Sequence, residues 1–313
     1  MALQDAVRDD GSAAPPLPPG PPYRARELRG WAGFAFDLPP GDERLRALHE
    51  GHPAPSPPLD NLVGMARAWV DHPEWLDFLD PSAPNHADKL LERALYLHHW
   101  DRWLPGGGAR VLDLGAGTGR FTTWFLDHAC DVEAVDPDLR SLWRLLQHAA
   151  GRAGRLDVHW TTAERLPDLE PVDAVVAAEV LCYVEDPARA LAAAAARVRP
   201  GGVLLGSVEA RVGWVSALDA APDTLQAWLD DGVVHVPGDR WIRTYDESTL
   251  RNLLGDWELL ELVPTHYAVS GPFEAAAGPL ALPALLEVED RLRKHPLAKP
   301  WHRAWLFAAR PPG

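Results

Sequence analysis

A short apolar strand that runs directly into three closely spaced glycines constrains this chain most. Residues 111–122 read VLDLGAGTGRFT, so that a strand with Asp113 near its end is followed by Gly115, Gly117 and Gly119. Glycines permit a tight turn without side chains, and a ligand can then approach the backbone N–H groups at the start of the next helix. The pattern predicts a strand, loop and helix with a nucleotide-type site, although such loops also serve only to connect two elements.

The residue after the third glycine separates two versions of such a site. The dinucleotide-binding fingerprint is G-x-G-x-x-G, whereas Arg120 leaves the pattern here as G-x-G-x-G, which weakens a nicotinamide or flavin interpretation. Asp136 ends the next apolar run, in VEAVDPD, and its carboxylate could accept hydrogen bonds from both ribose hydroxyls of a nucleoside. An Asp there could also cap the following helix, but its distance from the glycine loop favours a ribose ligand.

Beyond Gly108, short apolar runs alternate with helical segments, which is typical of a parallel sheet with helices on both faces. Strands are predicted at residues 110–114, 131–135, 157–160, 173–177, 202–208, 257–263 and 304–309. Helices are predicted at 61–79 and 87–104, before the first strand, and at 247–254 and around 285–293 after the fifth.

The chain divides into three predicted units. Residues 1–22 include a stretch rich in Pro, Gly and Ala that offers little to bury, so they are expected to form a disordered leader. Residues 23–108 form a predicted N-terminal helical cap. Residues 109–313 form the main domain, in which 210–245 and 264–303 are predicted lid segments.

Five segments, in this order, resemble the class I S-adenosylmethionine-dependent methyltransferases, above all the small-molecule branch that is similar to ubiquinone and menaquinone enzymes. They are VLDLGAGTGRFT, VEAVDPD, TTAERLP, VDAVVAAEVLCYVEDP and RVRPGGVLLGSV, and the match covers roughly residues 110–208. The resemblance implies S-adenosyl-L-methionine as the cofactor. It also implies an α/β fold, with a Rossmann-like, doubly wound sheet of seven strands that is mostly parallel and has its last strand antiparallel. The helical cap and the lid insertions predicted above are additions to this fold.

By that resemblance, the cofactor contacts follow the ends of the first four strands. Asp113 and the loop Gly115–Gly119 would hold the methionine portion, since its ammonium suits a carboxylate and its carboxylate suits N–H groups. Asp136 would take the ribose, residues 162–164 would meet the adenine, and Glu179 would lie beneath the sulfonium. The predicted cofactor-binding residues are Asp113, Gly115, Ala116, Gly117, Gly119, Asp136, Pro137, Thr162, Ala163, Glu164 and Glu179.

Two positions depart from the pattern of that family. Its members often carry Asp directly before the Ala of the adenine loop, where this chain has Thr162, so a hydroxyl or a backbone carbonyl must replace that carboxylate. They also often carry His in the loop after the fourth strand, where this chain has Tyr183. The second departure concerns the catalytic base and not the cofactor.

The candidate catalytic residues are Tyr183, His235 and His266. Methyl transfer from a sulfonium mainly requires alignment in a dry pocket, so a protein base is optional. Tyr183 is the first candidate for positioning the substrate, with packing against the cofactor as the alternative. His235 and His266 lie in the predicted lids, and either could act as a general base. Glu209, just beyond the fifth strand, is either a further candidate or a solvated charge.

Charge and cysteine content argue against several other classes of protein. The formal net charge of −15 disfavours nucleic acids and anionic membranes as partners, because both are drawn in by a positive field. Cys130 and Cys182 form no CxxC pair, and His98 and His99 lack a metal-ligand spacing, so no metal site is expected. No stretch resembles a signal peptide or a membrane span, which predicts a cytoplasmic protein.

The predicted function is transfer of a methyl group to an O, N or C centre of a small organic metabolite, in specialised metabolism. The tryptophan-rich additions to the main domain would enclose a mostly apolar pocket that suits such an acceptor. One alternative is a peptide or protein acceptor, for which an open acidic groove is expected. Another is a non-catalytic cofactor-binding or interaction module. The sequence leaves the oligomeric state open.

Overall fold

An eight-stranded sheet forms the centre of the structure. The computed structural model describes residues 24–25, 77–217, 222–235 and 241–312. The strands in these ranges are β1 (Arg24–Ala25), β2 (Arg110–Leu114), β3 (Asp131–Asp136), β4 (Leu156–Trp160), β5 (Val172–Ala178), β6 (Val198–Glu209), β7 (Val233–His235), β8 (Trp241–Arg243), β9 (Glu258–Thr265) and β10 (Ala304–Arg310). The order across the large sheet is β1-β4-β3-β2-β5-β6-β10-β9, and β7 pairs with β8 in a small antiparallel sheet.

Helices cover the sheet. In the described ranges they are α1 (His86–Trp100), α2 (Thr122–Asp127), α3 (Leu139–Ala149), α4 (Pro187–Ala195), α5 (Pro222–Asp231), α6 (Glu247–Leu254), α7 (Glu274–Ala277) and α8 (Leu282–Lys294). The prediction for α6 matches to the residue, because Asp246 caps its first turn and Gly255 ends it. The helix predicted at 87–104 stops at Trp100 and continues as a short 3₁₀ turn. The helix predicted at 61–79 lies outside the described residues, except for 77–79, which are not helical.

The predicted sheet class is confirmed. All seven predicted strands are present, β2 to β6 pair in parallel, and the last strand, β10, lies antiparallel between β6 and β9. Two details differ from the prediction. The sheet gains β1, which is only two residues long and therefore carries no periodic signal, at the edge beside β4. β6 begins at Val198 and not at Gly202 as predicted, and its pairing with β5 shifts register between Val198 and Val203.

The core lies on both faces of the sheet. Neighbouring strand residues point to opposite faces, and both members of such pairs are buried: Val111 packs with the cluster under α1 to α3, whereas Leu112 packs with the cluster under α4 and α6. This double burial explains why the strands read as continuous apolar runs and not as alternating ones. Helix α1 packs against α8 and β10.

The strand order creates the crevice in which the site lies. The chain proceeds outward from β2 through β3 to β4 on one side, and then returns to place β5 on the other side of β2. At such a reversal the connections leave in opposite directions and open a crevice at the carboxyl ends of the strands. Asp113, Asp136 and Ala178 lie at or next to these ends. None of the helices in the described ranges is both long and apolar enough to cross a membrane.

Candidate cofactor site

A cavity of about 470 Å³ lies above the carboxyl ends of β2, β3 and β5. Ten of the eleven predicted cofactor residues line it, namely Asp113, Gly115, Ala116, Gly117, Asp136, Pro137, Thr162, Ala163, Glu164 and Glu179. Gly119 is not among the lining residues of the described chain. Its added Cβ would meet Leu145 of α3 at 2.5 Å, so this glycine lets the loop pack closely on the core helix.

The first position of the loop requires glycine because the side chain of Val180 lies close to it. Gly115 has φ +63°, and a Cβ on it would lie 2.6 Å from the Cγ2 atom of Val180 in the loop after β5. The next residue, Ala116, donates its N–H to the carbonyl of Val135 at 3.0 Å. The loop is therefore held between two strand ends, with its backbone exposed to the cavity.

Asp113 supplies a buried carboxyl group to the cavity floor. It is 2% exposed, and the hydroxyl of Thr122, at the start of α2, donates to its Oδ2 at 2.5 Å. Burial raises the pKa of Asp113 to about 6, against the lowering effect of the Thr122 hydrogen bonds. A cationic ligand group beside it would favour the ionised form.

Asp136 joins the end of β3 to the glycine loop. Its Oδ2 accepts the N–H of Gly117 at 2.8 Å, and its Oδ1 accepts the N–H of Asp138 at 2.8 Å. Burial, with the nearby Asp138 carboxylate, raises the pKa of Asp136 to about 7, although both hydrogen bonds oppose the shift. Each carboxylate oxygen has a further lone pair, and the residue lines the cavity, so a ligand diol could donate to it.

Thr162 and Glu164 place a hydroxyl and a carboxylate beside the cavity. The N–H of Glu185 donates to Oε1 of Glu164 at 3.1 Å. Oγ1 of Thr162 and Oε2 of Glu164 are buried and have no hydrogen-bond partner of normal geometry among the described residues. Burial raises the pKa of Glu164. Buried acceptors without donors are costly, and an amine on a ring-shaped ligand would satisfy them.

A charge cluster that the sequence does not predict contributes to the cavity wall. Arg120 donates to Oε2 of Glu92 at 3.1 Å and to Oε1 of Glu179 at 3.2 Å. Lys89 binds the same Glu92 at 2.7 Å. Lys89, Arg120 and Glu179 all line the cavity. The sequence does not indicate these partners of Arg120, because they lie 28 and 59 residues away along the chain.

Glu179 occupies a backbone conformation that is unusual for its type. Its φ is +59°, in the left-handed region, and its N–H donates to the Oγ of Ser207 at 2.9 Å. Burial alone would raise its pKa, but the opposing charges of Arg120 and Lys89 hold the pKa of Glu179 below its ordinary value. Strained residues of this kind concentrate at ligand sites.

The candidate catalytic residues lie in different places. Tyr183 is half-buried and lines the cavity. His266 is 3% exposed behind the ring of Tyr96, neither of its ring nitrogens has a partner among the described residues, and burial lowers its pKa to about 4. It does not contribute to the described wall of the cavity. The side chain of His235 lies outside the described residues.

Glu209 is not a solvated charge, as one reading of the sequence expected. It is buried at the end of β6, where Trp214 donates to its Oε2 at 2.8 Å and Arg303 at 3.1 Å. His98 and His99 line a separate space of about 150 Å³ between α1 and α8. Across the described ranges, no group of three or more His, Cys, Asp or Glu residues is placed to hold a metal ion.

Comparisons with known proteins agree with this geometry. A family model described as "Methyltransferase domain" matches residues 75–259. An uncharacterized methyltransferase of Mycobacterium tuberculosis is 41% identical over 122 residues, which are 38% of this chain and 48% of that protein. A ubiquinone biosynthesis O-methyltransferase of Paramagnetospirillum magneticum is 30% identical over 190 residues, which are 59% of this chain and 75% of that protein. The chain spans about half the length of the mycobacterial relatives it matches.

Among solved structures, one assigned as an S-adenosylmethionine-dependent methyltransferase from Listeria monocytogenes superposes with a TM-score of 0.51. It shares 15% sequence identity and covers 71% of this chain and 99% of its own, which supports the fold alone. The chain belongs to the methyltransferase domain family. The methyltransferase family predicted from the glycine loop and the four segments after it is confirmed, and the polar wall of the cavity fits the predicted cofactor, S-adenosylmethionine.

Proposed function

We propose that this chain transfers a methyl group from S-adenosylmethionine to an O, N or C centre of a small organic molecule in specialised metabolism. One observation carries the proposal. A single cavity combines the polar residues expected at the cofactor with an apolar and aromatic wall that includes Phe78, Phe121, Tyr183 and Val184. Its volume, about 470 Å³, lies in the range of pockets that enclose small molecules.

The proposed roles of the cofactor residues follow from their free atoms. Asp113 and Glu179 offer carboxylates to the cationic methionine portion, and Asp136 offers acceptor lone pairs to the two ribose hydroxyls. Thr162 and Glu164 offer side-chain oxygens on the cavity wall to the exocyclic amine of adenine. A hydroxyl at Thr162 thus replaces the carboxylate that many relatives would use.

When bound, the cofactor would supply a methyl group on a positively charged sulfur. A nucleophile that attacks the methyl carbon in line with the C–S bond displaces the sulfur as a neutral thioether. The remaining contribution of the protein is orientation and exclusion of water. Tyr183 is the proposed positioning residue for the acceptor, since it lines the cavity beside Val184. His235 remains a predicted base for an acceptor that must lose a proton, whereas the burial of His266 behind Tyr96 argues against its contact with the acceptor.

Two measurements test the proposal. Calorimetry with S-adenosylmethionine comes first, and absence of binding would contradict it. Incubation with methyl-labelled cofactor then follows, against one panel of small phenols, amines and carboxylic acids and one panel of peptides, with mass spectrometry to locate the label. Transfer to a small molecule supports the proposal. Transfer only to peptides favours the second acceptor class, and binding without any transfer favours a non-catalytic module.

The cytoplasm stays the predicted location, and the net charge of −15 supports acceptors other than nucleic acids. The division into a cap, a main domain and two lids also remains part of the proposal. Helix α1 of the predicted cap contributes Lys89 to the cavity wall, which supports a role for the cap in ligand binding.

A further inference from the structure

The geometry points to Tyr96, on helix α1, as a positioning residue that fixes the Glu179 carboxylate for the cationic portion of the bound cofactor. This inference rests on the proposed function. Tyr96 is fully buried and is not among the described residues that line the cavity, so it acts through Glu179 and not by direct contact.

Three hydrogen bonds form a closed ring around Tyr96. Its hydroxyl donates to Oε1 of Glu179 at 2.6 Å and accepts from the hydroxyl of Ser207 at 3.2 Å. Ser207 in turn accepts the backbone N–H of Glu179 at 2.9 Å. The hydrogen bonds run in one direction around the ring, from the N–H of Glu179 through the hydroxyls of Ser207 and Tyr96 to the Glu179 carboxylate. Glu179 is therefore held at both its backbone and its side chain. This restraint opposes relaxation from the strained φ of +59°.

The ring leaves one carboxylate oxygen for a ligand. Tyr96 and Arg120 both donate to Oε1 of Glu179, and Oε2 accepts no hydrogen bond from any described residue. The Glu179 side chain is 26% exposed, against 10% for Arg120, and it lines the cavity. The anchored oxygen thus faces the protein, and the second oxygen remains for a cation.

Tyr96 is itself immobile. Its ring packs edge-on against Trp100, Phe121 and His266, with centroid distances of 5.2, 5.5 and 5.0 Å. The guanidinium of Arg120 lies 5.4 Å from the same ring. A hydroxyl on a ring packed in this way has a fixed position, so it can orient a carboxylate before the ligand arrives.

The test is Tyr96→Phe, which keeps the ring packing and removes only the hydroxyl. Calorimetry is carried out with S-adenosylmethionine, S-adenosylhomocysteine and 5′-methylthioadenosine, of which the last lacks the ammonium and the sulfonium. We expect affinity for S-adenosylmethionine to fall about tenfold, which is the size that loss of a hydrogen bond to a charged group produces. Affinity for methylthioadenosine should change less than twofold. An equal loss for all three ligands, or no loss for S-adenosylmethionine, would overturn the inference.

Two further variants separate positioning from packing. In a Glu179→Gln background, Tyr96→Phe should cost little more, because its route of action is already removed, whereas multiplied losses would contradict the inference. Tyr267→Phe is the matched control, since Tyr267 is also fully buried and donates to a backbone carbonyl, that of Lys299, at 3.0 Å. It should leave all three affinities unchanged. If the unmodified protein fails to bind S-adenosylmethionine, the proposed function fails. If it binds and Tyr96→Phe binds equally well, only the inference fails.

Discussion

The N–H of Gly117 donates to Oδ2 of Asp136 across 2.8 Å, and this bond joins the glycine loop to the end of β3. The same carboxylate therefore shapes the loop and faces the cavity. Asp136→Ala should weaken S-adenosylmethionine binding by about a hundredfold, because it removes the ribose acceptor and leaves buried N–H groups unpaired, at about 1–3 kcal/mol each. Calorimetry measures the affinity. Asp131→Ala, at the other end of β3, is the control, and equal affinities for the two variants would contradict the assignment.

Cofactor binding should depend on the protonation of Asp136. Its pKa is raised to about 7, and ribose hydroxyls donate better to the ionised form. Affinity should therefore rise as the pH increases towards 7 and level off above it, with up to about a tenfold loss for each pH unit below. Calorimetry between pH 5.5 and pH 8.5 would show the curve. Asp136→Asn should remove the change near pH 7 and leave any change near pH 6 that belongs to Asp113, and an unchanged profile in that variant would assign the titration to another group.

The raised pKa of Asp136 also determines how the stability of the fold changes with pH. The folded state holds its proton up to about pH 7, whereas the unfolded chain loses it near pH 4, so the folded state binds more protons between these values. The contribution of Asp136 to the free energy of unfolding should thus fall as the pH rises from 4 to 7. The free energy of unfolding of Asp136→Asn, measured in urea at several pH values, should lack this decrease. A free energy that falls more steeply with pH in the variant than in the unmodified protein would contradict the predicted sign.

Arg120 neutralises the two carboxylates of the charge cluster, those of Glu92 and Glu179. Arg120→Met leaves the carboxylates of Glu92 and Glu179 without their shared guanidinium, and loss of one partner from a buried pair costs about 3–5 kcal/mol. Lys89 and Arg120 hold the pKa of Glu92 below its ordinary value against burial, and Glu179 behaves likewise. Their ionised forms stabilise the fold above about pH 4.5 and lose this effect in acid, so the deficit of the variant should shrink below that pH.

Urea unfolding at pH 7 and pH 4 measures this difference. Arg120→Lys is the matched control and should recover part of the stability, since it restores the charge without the two-sided guanidinium. A deficit that stays constant with pH would mean that Arg120 acts through packing on Phe121 and Tyr96 alone.

Gly115 should tolerate no side chain. A substitution to Ala places Cβ 2.6 Å from Val180 at a φ of +63°. Gly108 has φ +79° but nothing within 4 Å of an added Cβ, so Gly108→Ala isolates the backbone strain, at about 1–2 kcal/mol. Gly115→Ala should cost about 1–3 kcal/mol more, owing to overpacking. Thermal unfolding compares the two, and equal losses would show that Val180 moves aside freely.

The residues that could be predicted from the sequence are those close together along the chain and those that belong to the motifs of the resembled family. Asp113, the glycines and Asp136 belong to strand ends that are close along the chain, so their spacing predicts the polar floor of the cavity. Tyr96 and Arg120 could not be assigned in this way, because their partner Glu179 comes 83 and 59 residues later. His266 shows the same limit. Its type favours a general base, but only the packing of its segment against α1 places it behind Tyr96.

The position of β10 has a consequence for how the protein is made. β9 joins the sheet through β10, which follows it in the chain after α7 and α8. Until β10 emerges, the edge of β6 from Gly202 to Glu209 stays open, although every residue in it is buried in the finished sheet. Open apolar edges pair readily with other chains. At synthesis rates of about 5–20 residues per second, this edge stays open for several seconds before β10 is made. Slower translation of the segment between β6 and residue 304 would lengthen this period and favour aggregation over folding.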